Sequence, residues 1–211
     1  MILVAKSHQG RLSKKLRKRA SQSQSQRKSN SSTSLRGVID VAISLGYNWP
    51  MVTLYIMSGL PFSSKSTISK KIAKILGIKR ISFDEVWVDT PIIPGNNDVE
   101  KWQFISQKCE DLVIAELQNN QSVIYDNLGD KLNNRNKMHQ LAQKNNADFK
   151  LIYINISKEE SKLRRQNNLL LKDHHPVSDT DFNNALNSFQ IPTPSENPII
   201  YNPGQDLINL L

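Results

Sequence analysis

The chain has 211 residues, enough for one domain of ordinary size with a buried core, and 38% of them are hydrophobic. Its single cysteine, Cys109, excludes an intrachain disulfide framework and a cysteine-only zinc site. The formal net charge of +9 is carried by residues 1–50, which hold ten Lys and Arg against one acid, whereas residues 51–211 are neutral overall. The globular part therefore lacks the general electrostatic signature of a nucleic-acid-binding protein.

The first fifty residues are predicted to be a basic, disordered extension. Residues 6–36 are rich in Ser, Gln, Arg and Lys, contain no acids and offer almost nothing to bury. Such a segment can be a nucleic-acid-binding tail, a transit peptide or a membrane-surface patch, but a solvated extension or a start-site artefact before Met51 is favoured. The sequence contains no run of about twenty apolar residues, so we expect a cytoplasmic protein with no membrane partner.

From Met51 onward, short apolar runs alternate with helical periodicity. The predicted strands are residues 51–57, 78–82, 122–126, 149–156 and 198–202, and the predicted helices are residues 66–77, 99–119, 131–145, 158–170 and 179–189. Continuous apolar strands that alternate with helices are typical of a mostly parallel sheet with helices on both faces. The sequence therefore predicts a three-layer α/β domain over residues 51–211, with ligands bound at the carboxyl ends of the strands.

Two of these helices have a clear apolar stripe. In the first helix, Ile68, Ile72 and Ile75 fall at i, i+4 and i+7 on one face, and Gly77 is a plausible stop. The predicted inward stripe of the second helix consists of Trp102, Ile105, Cys109, Leu112 and Val113. Cys109 is accordingly interpreted as a core residue.

The segment "GLPFSSKST", residues 59–67, follows the first strand and opens the first helix. It matches a phosphate-binding loop of the pattern Gly-x4-Gly-Lys-Ser/Thr, except that Ser64 replaces the second glycine. In such a loop, backbone N–H groups surround phosphate, Lys65 reaches the β- and γ-phosphates, and the Ser66 hydroxyl binds Mg²⁺. The predicted nucleotide-binding residues of the loop are Gly59, Leu60, Pro61, Phe62, Ser63, Ser64, Lys65, Ser66 and Thr67.

Ser64 is the unusual position of this loop. Glycine there allows a backbone conformation that is poor for residues with a Cβ. Ser64 must therefore adopt a strained conformation or shift the loop, at a cost on the order of 1–3 kcal/mol, which weakens binding without abolishing it. The alternative, a serine-rich loop with a chance lysine, is disfavoured by the strand before the loop and the helix after it.

Residues 51–203 resemble the P-loop kinase-like family of small "AAA domain" ATP-binding proteins, which includes polynucleotide kinase, zeta toxin and chloramphenicol phosphotransferase relatives. The resemblance rests on "MVTLYIMSGLPFSSKSTISKKIAKILG", "ISFDEVW", "SVIYDNLGDKLNNRNKM", "LIYINISKEESKLRRQNN" and "SDTDFNNALNSFQIPTPSENPIIYN". It implies a three-layer P-loop NTPase fold that binds ATP and Mg²⁺. It also implies transfer of the γ-phosphoryl group to a hydroxyl of a small molecule or nucleotide.

The same resemblance implies roles for residues outside the loop. Asp84 would be the general base for the acceptor hydroxyl, and Asp126 would help to position Mg²⁺. Arg164 and Arg165 would bring positive charge from a lid, and Arg135 would contact phosphate or acceptor. Each has a structural alternative: a helix cap for Asp84, a turn residue for Asp126, and a solvated helix face for the lid arginines, of which only one can easily point at the site.

Some features argue against particular functions. Polynucleotide kinases carry an arginine three residues after the base, where this chain has Trp87, which argues against a nucleic-acid 5′-end as the acceptor. Ser64 favours a nucleotide-binding switch with little transferase activity, and the charge of residues 6–36 supports a nucleic-acid-binding protein. We expect residues 87–100 to line the acceptor pocket, and His174 and His175 to lie in an exposed loop.

Overall fold

A computed structural model describes residues 51–127, 129–171 and 177–209. The predicted basic extension and the pair His174–His175 lie outside the described residues. The strands are β1 (Thr53–Gly59), β2 (Lys79–Ser82), β3 (Val123–Asp126), β4 (Asp148–Ile154) and β5 (Ile199–Tyr201). The helices are α1 (Lys65–Leu76), α2 (Phe83–Val88), α3 (Asp98–Gln118), α4 (Leu132–Lys144), α5 (Lys158–Leu171) and α6 (Asp179–Ser188), with 3₁₀ turns at Pro194–Glu196 and Leu207–Asn209.

The five strands form one parallel sheet in the order β2-β3-β1-β4-β5. The first strand is central, and every one of its residues is buried because helices cover both faces of the sheet. This arrangement confirms the predicted three-layer α/β fold. It also brings the carboxyl ends of β1 and β3 side by side, so that the loops that follow them lie at one edge of the sheet.

Each face of the sheet has its own hydrophobic core. On one face, Ile105 and Cys109 of α3 pack with Met138 of α4, and on the other Ile68 and Ile72 of α1 pack against the strands. Burial of the Cys109 thiol raises its pKa to about 11, as expected for an inert core cysteine.

The structure differs from the sequence-based expectations in three places. Trp102, predicted to lie on the inward stripe of the second helix, is 39% exposed. Ile75, predicted to face the core with Ile68 and Ile72, lies in the last turn of α1 and is 46% exposed. The helix α2 was not predicted because its six residues are too few to show a helical period. Within the described ranges, every helix is too short or too polar to cross a lipid bilayer.

Candidate nucleotide-binding site

The loop between β1 and α1 contains two residues other than glycine in the left-handed region. Phe62 has φ 57°, and Ser64 has φ 73° and ψ 27°. Ser64 therefore adopts the conformation that glycine takes easily, which costs a residue with a Cβ roughly 1–2 kcal/mol. At Gly59, a Cβ would lie 2.8 Å from Ser63 Oγ and 3.1 Å from the carbonyl oxygen of Ile154, so this position requires glycine.

Side chains of α5 and α6 hold this loop from the outside. The Phe62 ring packs edge-on against Phe182 of α6, with their centroids 5.7 Å apart. Fully buried Ser161 of α5 donates a hydrogen bond to the carbonyl oxygen of Pro61, at 2.7 Å. These contacts offset the cost of the two left-handed residues and connect the loop to α6 and to α5, the helix in which both lid arginines lie.

Lys65, the first residue of α1, folds back onto its own loop. Its Nζ donates to the carbonyl oxygens of Gly59, at 2.8 Å, and of Leu60, at 3.0 Å. Burial lowers the pKa of the Lys65 ammonium, and nearby carboxylates, Asp126 foremost and Asp84 among them, oppose this shift. The ammonium lies where the loop closes and can exchange these carbonyl contacts for phosphate oxygens.

Asp126, at the end of β3, is buried and bound by an arginine that the sequence interpretation missed. Its Oδ2 accepts hydrogen bonds from Arg80 Nη2 at 2.6 Å, from Arg80 Nε at 3.1 Å and from Ser69 Oγ at 2.8 Å. Arg80 also forms an ion pair with Glu85 of α2, at 2.7 Å. Burial lowers the pKa of Arg80, but Asp126 and Glu85 outweigh this effect and raise it. A lone arginine within the apolar strand "IKRIS" was the only available signal.

Asp84 lies in the first turn of α2 and is exposed. Its carboxylate accepts no hydrogen bond from any residue that the structure describes, and the N-cap of α2 is Ser82. The structure therefore gives no support to the helix-cap alternative for Asp84. Asp84 follows the carboxyl end of β2, and because the sheet is parallel, this is the edge at which the loop after β1 also lies.

The two lid arginines point to different places. Arg164 donates to Glu160 at 2.7 Å, and its Nη1 lies 3.5 Å from Ser64 Oγ, against the phosphate loop. Arg165 instead donates to Asp179 at 2.7 Å, and its guanidinium lies 4.6 Å from the centre of the Phe182 ring. Arg165 thus joins α5 to α6 in this structure, because neighbouring helical residues point in different directions, and its predicted contribution to catalysis stays a prediction.

Arg135, whose predicted contact with phosphate or acceptor stays a prediction, makes its contacts within the protein. Its side chain is 2% exposed, and it forms a two-pronged ion pair with Glu196. Its Nη1 donates to the carbonyl oxygens of Gly129, at 3.1 Å, and Gln190, at 3.0 Å. These contacts occupy the guanidinium, so the structure does not favour the predicted contact between Arg135 and phosphate.

A cavity of about 100 Å³ lies near this edge of the sheet, between α3 and α4. The expectation that residues 87–100 line an acceptor pocket does not apply to this cavity, since none of them is among its lining residues. Trp87 instead packs against Phe83, with ring centroids 5.8 Å apart.

Known structures share this fold at low sequence identity. Kti12 of Chaetomium thermophilum in complex with ADP-AlF3 has 15% identity and a TM-score of 0.55, over 74% of this chain and 93% of that chain. Mycobacterium tuberculosis APS kinase in complex with AMPPNP and APS has 14% identity and a TM-score of 0.56, over 77% and 98%. A gluconokinase from Sinorhizobium meliloti has 15% identity and a TM-score of 0.52, over 75% and 86%.

These similarities show the fold, which is that of P-loop kinases. None of the curated proteins matches the sequence. The family model described as "Chromatin associated protein KTI12" matches residues 51–196, which include the phosphate loop, β3 and the lid helices. Because this match spans well over half of the chain, the chain belongs to the KTI12 family, within the P-loop kinase-like class that the sequence resemblance predicted.

Proposed function

We propose that the chain binds ATP at the loop of residues 59–67 and transfers the γ-phosphoryl group to a hydroxyl. The observation that carries the proposal is the position of Lys65, whose ammonium rests on the carbonyl oxygens of its own loop at the start of α1. Kti12 in complex with ADP-AlF3 and APS kinase in complex with AMPPNP support a nucleotide at the same place in this fold.

The loop would bind the phosphates through backbone N–H groups at the start of α1, where the helix dipole also favours negative charge. Lys65 would leave the carbonyl oxygens of Gly59 and Leu60 for the β- and γ-phosphates. The hydroxyls of Ser66 and Thr67 lie in the first turn of α1, and both residues are exposed, so they are available to the same ligand.

Ser66 and Asp126 would hold Mg²⁺. Their oxygens suit a hard cation, and the described contacts of the Asp126 carboxylate all go to Oδ2. Among the described residues, no group of three or more His, Cys, Asp or Glu is arranged to bind a metal. Mg²⁺ is usually bound by one or two protein groups plus the phosphates, whose charge it neutralises. The site therefore fits Mg²⁺ better than a cation that needs all of its ligands from the protein.

In the transfer step, the Asp84 carboxylate would accept the proton of the acceptor hydroxyl. The acceptor oxygen forms a bond to the γ-phosphorus, the bond from that phosphorus to the bridging oxygen breaks, and ADP leaves with that oxygen. Arg164, beside Ser64, would stabilise the negative charge on the transferring group. Asp84 suits this role because it is exposed and accepts no hydrogen bond from the residues that the structure describes.

The experiment that tests this proposal is the substitution Asp84→Asn. We expect unchanged ATP affinity by calorimetry and a loss of phosphoryl transfer of about 10²–10⁴-fold. Asp89→Asn, at the other end of α2, is the matched control and should keep full activity. An Asp84→Asn protein as active as the parent would contradict the assigned base.

A nucleotide-binding switch is the second candidate. Lys65 and Asp126 both bind protein groups in this structure, so nucleotide and Mg²⁺ would have to rearrange both. ATP binding without phosphorylation of any hydroxyl would favour this candidate.

Nucleic-acid binding through residues 6–36 remains a prediction. For location, the description "chromatin associated" of the family supports a nuclear setting beside the predicted cytoplasmic one.

A further inference from the structure

We propose that Arg80 is a positioning residue that couples the Mg²⁺ site at Asp126 to α2, the helix that carries the proposed base Asp84. This inference rests on the proposed function and concerns the regulation of the same site. The observation that carries it is the Arg80 guanidinium, which binds Asp126 through two of its nitrogens and Glu85, the neighbour of Asp84, through the third.

On one side, hydrogen bonds join Arg80 to both residues that would hold Mg²⁺. Its Nη2 and Nε donate to Oδ2 of Asp126, and the Nε also lies 2.7 Å from Ser69 Oγ. Ser69 is a fully buried residue of α1, and its Oγ lies 2.8 Å from Asp126 Oδ2 and 3.0 Å from the carbonyl oxygen of Ser66. The guanidinium is therefore connected to the strand and the helix on which the proposed metal ligands lie.

On the other side, Arg80 holds α2. Its Nη1 lies 2.7 Å from Glu85 Oε1. The helix has six residues, and none of them is buried, so polar contacts contribute more to its position than in a helix packed by a broad apolar face. Lys70 of α1 lies 3.3 Å from the same Glu85 oxygen, but its side chain is 63% exposed, so this second pair is weak. Because Asp84 immediately precedes Glu85, a contact that fixes Glu85 also fixes the proposed base.

The two carboxylates share one guanidinium that is 8% exposed. A buried cation needs a counter-charge, and Asp126, which is 5% exposed, supplies most of it, since the exposed Glu85 is screened by solvent. When Asp126 shares its charge with Mg²⁺, the guanidinium depends more on Glu85. Arg80 would therefore hold α2, and with it Asp84, most firmly when the metal site is filled.

Such a coupling is reciprocal. If Mg²⁺ at Asp126 strengthens the contact between Arg80 and Glu85, that contact in turn favours Mg²⁺ at Asp126. Removal of the Glu85 charge should return the guanidinium to Asp126 and weaken Mg²⁺ binding, whereas removal of Arg80 leaves Asp126 free for the metal. The two substitutions are thus expected to act in opposite directions, and the substitution of Glu85 acts only through Arg80.

The test uses the full chain, with ATP binding measured by calorimetry at a series of Mg²⁺ concentrations. Glu85→Gln should raise the Mg²⁺ concentration that half-saturates ATP binding by roughly two- to fivefold, as expected for a half-exposed ion pair. Arg80→Gln should lower it, and the double substitution should titrate like Arg80→Gln alone. Lys70→Ala is the matched control, because it removes the other partner of Glu85, and it should leave the titration unchanged.

The double substitution separates this coupling from a simple effect of charge. If the Glu85 carboxylate attracts Mg²⁺ directly, Glu85→Gln weakens Mg²⁺ binding equally with and without Arg80, and the inference is overturned. An unchanged titration in Glu85→Gln also overturns it. If thermal unfolding shows that Arg80→Gln does not fold, Arg80→Lys takes its place. An ammonium lacks the planar fork that binds both carboxylates at once, so Glu85→Gln should again lose most of its effect.

A second measurement follows α2 itself. The chain has three tryptophans, so Trp49→Phe and Trp102→Phe together leave Trp87 of α2 as the only one. In the complex with AMPPNP, addition of Mg²⁺ should reduce the quenching of Trp87 fluorescence by acrylamide, because α2 is held more firmly. Glu85→Gln should remove this difference, and Asp89→Asn, at the other end of α2, should keep it. Equal quenching with and without Mg²⁺ would contradict the coupling.

Failure of this inference and failure of the proposed function give different results. If ATP binds with Mg²⁺ but Glu85→Gln has the same effect in the presence and absence of Arg80, nucleotide binding stands and the coupling is overturned. If ATP does not bind to the parent chain at all, the proposed function is contradicted, and this inference with it.

Discussion

The loops after β1 and β3 lie at the same edge of the sheet but are held in opposite ways. The loop after β3 is fixed by buried polar contacts: Ser58 Oγ donates to the carbonyl oxygen of Gly129 at 2.6 Å, and Arg135 donates to the same oxygen. It also passes so close to β1 that a Cβ on Gly129 would lie 2.3 Å from the carbonyl oxygen of Met57. A side chain at position 129 would therefore collide with β1.

The phosphate loop, in contrast, is held by contacts that a ligand can replace. Lys65 binds carbonyl oxygens that it can exchange for phosphate, and Arg164 approaches Ser64 at a distance too long for a strong hydrogen bond. Phe62 and Ser64 keep their left-handed conformations through packing from α5 and α6. The comparison teaches that the loop after β3 stabilises the fold through buried contacts. The phosphate loop after β1 has contacts that a ligand can replace, so it is the one suited to binding.

The largest expected effect is on stability, through Arg135, which binds the loop after β3. Arg135→Met should reduce the free energy of unfolding by about 3–5 kcal/mol, because it leaves the mostly buried Glu196 carboxylate without its charged partner and removes one donor from each of the carbonyl oxygens of Gly129 and Gln190. Chemical denaturation would measure the loss, and ATP affinity of the folded protein should stay unchanged. If Arg135→Met is as stable as the parent but no longer binds ATP, Arg135 contacts phosphate, as the sequence predicted.

The same ion pair gives a pH dependence. Burial raises the pKa of Glu196, but hydrogen bonds and charge from Arg135 outweigh it, and the net pKa lies below its ordinary value. The pair therefore contributes stability above the unfolded pKa of about 4.3, which is lost as the pH falls through the lower, folded value. Acid titration of unfolding should show this loss in the parent. If the free energy of unfolding of Arg135→Met falls with pH in the same way as that of the parent, the ion pair between Arg135 and Glu196 is not the cause.

The next effect concerns the replaceable contacts of Lys65. Lys65→Ala should weaken ATP binding at least about tenfold, because it removes a charged contact to phosphate, while the thermal midpoint changes little. Calorimetry gives the affinity. Lys70→Ala is the matched control, since Lys70 lies on α1 with an exposed side chain and pairs with Glu85. Equal affinity of Lys65→Ala and the parent would show that this loop is not the phosphate site.

A smaller effect is expected at Asp126, the last residue of β3. Arg80 competes with Mg²⁺ for the Asp126 carboxylate, so Arg80→Gln should lower the Mg²⁺ concentration that half-saturates ATP binding by roughly three- to tenfold. Arg80→Lys, which keeps the charge, should change it less, and Asp126→Asn should abolish the Mg²⁺-dependent part of binding. An unchanged Mg²⁺ titration in Arg80→Gln would mean that Asp126 does not hold the metal.

The difference between the loops also explains what the sequence could predict. The phosphate loop was predictable because its signal is local: Gly59 and Lys65 at fixed spacing, a strand before and a helix after. The roles of Arg80 and Arg135 were not, because they depend on partners far along the chain. Arg80 meets Asp126 only because β2 pairs with β3, and Arg135 meets Glu196, 61 residues away.

The two lid arginines show the same limit. The sequence predicted that only one of Arg164 and Arg165 could face the site, since neighbours on a helix point about 100° apart. Which of them does so is decided by α6, where Asp179 and Phe182 bind Arg165. That choice depends on how α5 and α6 pack together, which no local pattern contains.

The smallest expected effect is at Ser64, where the phosphate loop departs from its usual pattern. With φ 73°, the Cβ of Ser64 costs about 1 kcal/mol, so Ser64→Gly should tighten ATP binding by up to about fivefold. Ser64→Ala is the matched control, because it keeps the Cβ and removes only the hydroxyl near Arg164. If Ser64→Ala matches the parent and Ser64→Gly binds more tightly, the Cβ is the cause. If both bind more weakly, the contact between Arg164 and Ser64 matters more than the strain, and the loop has adapted to serine.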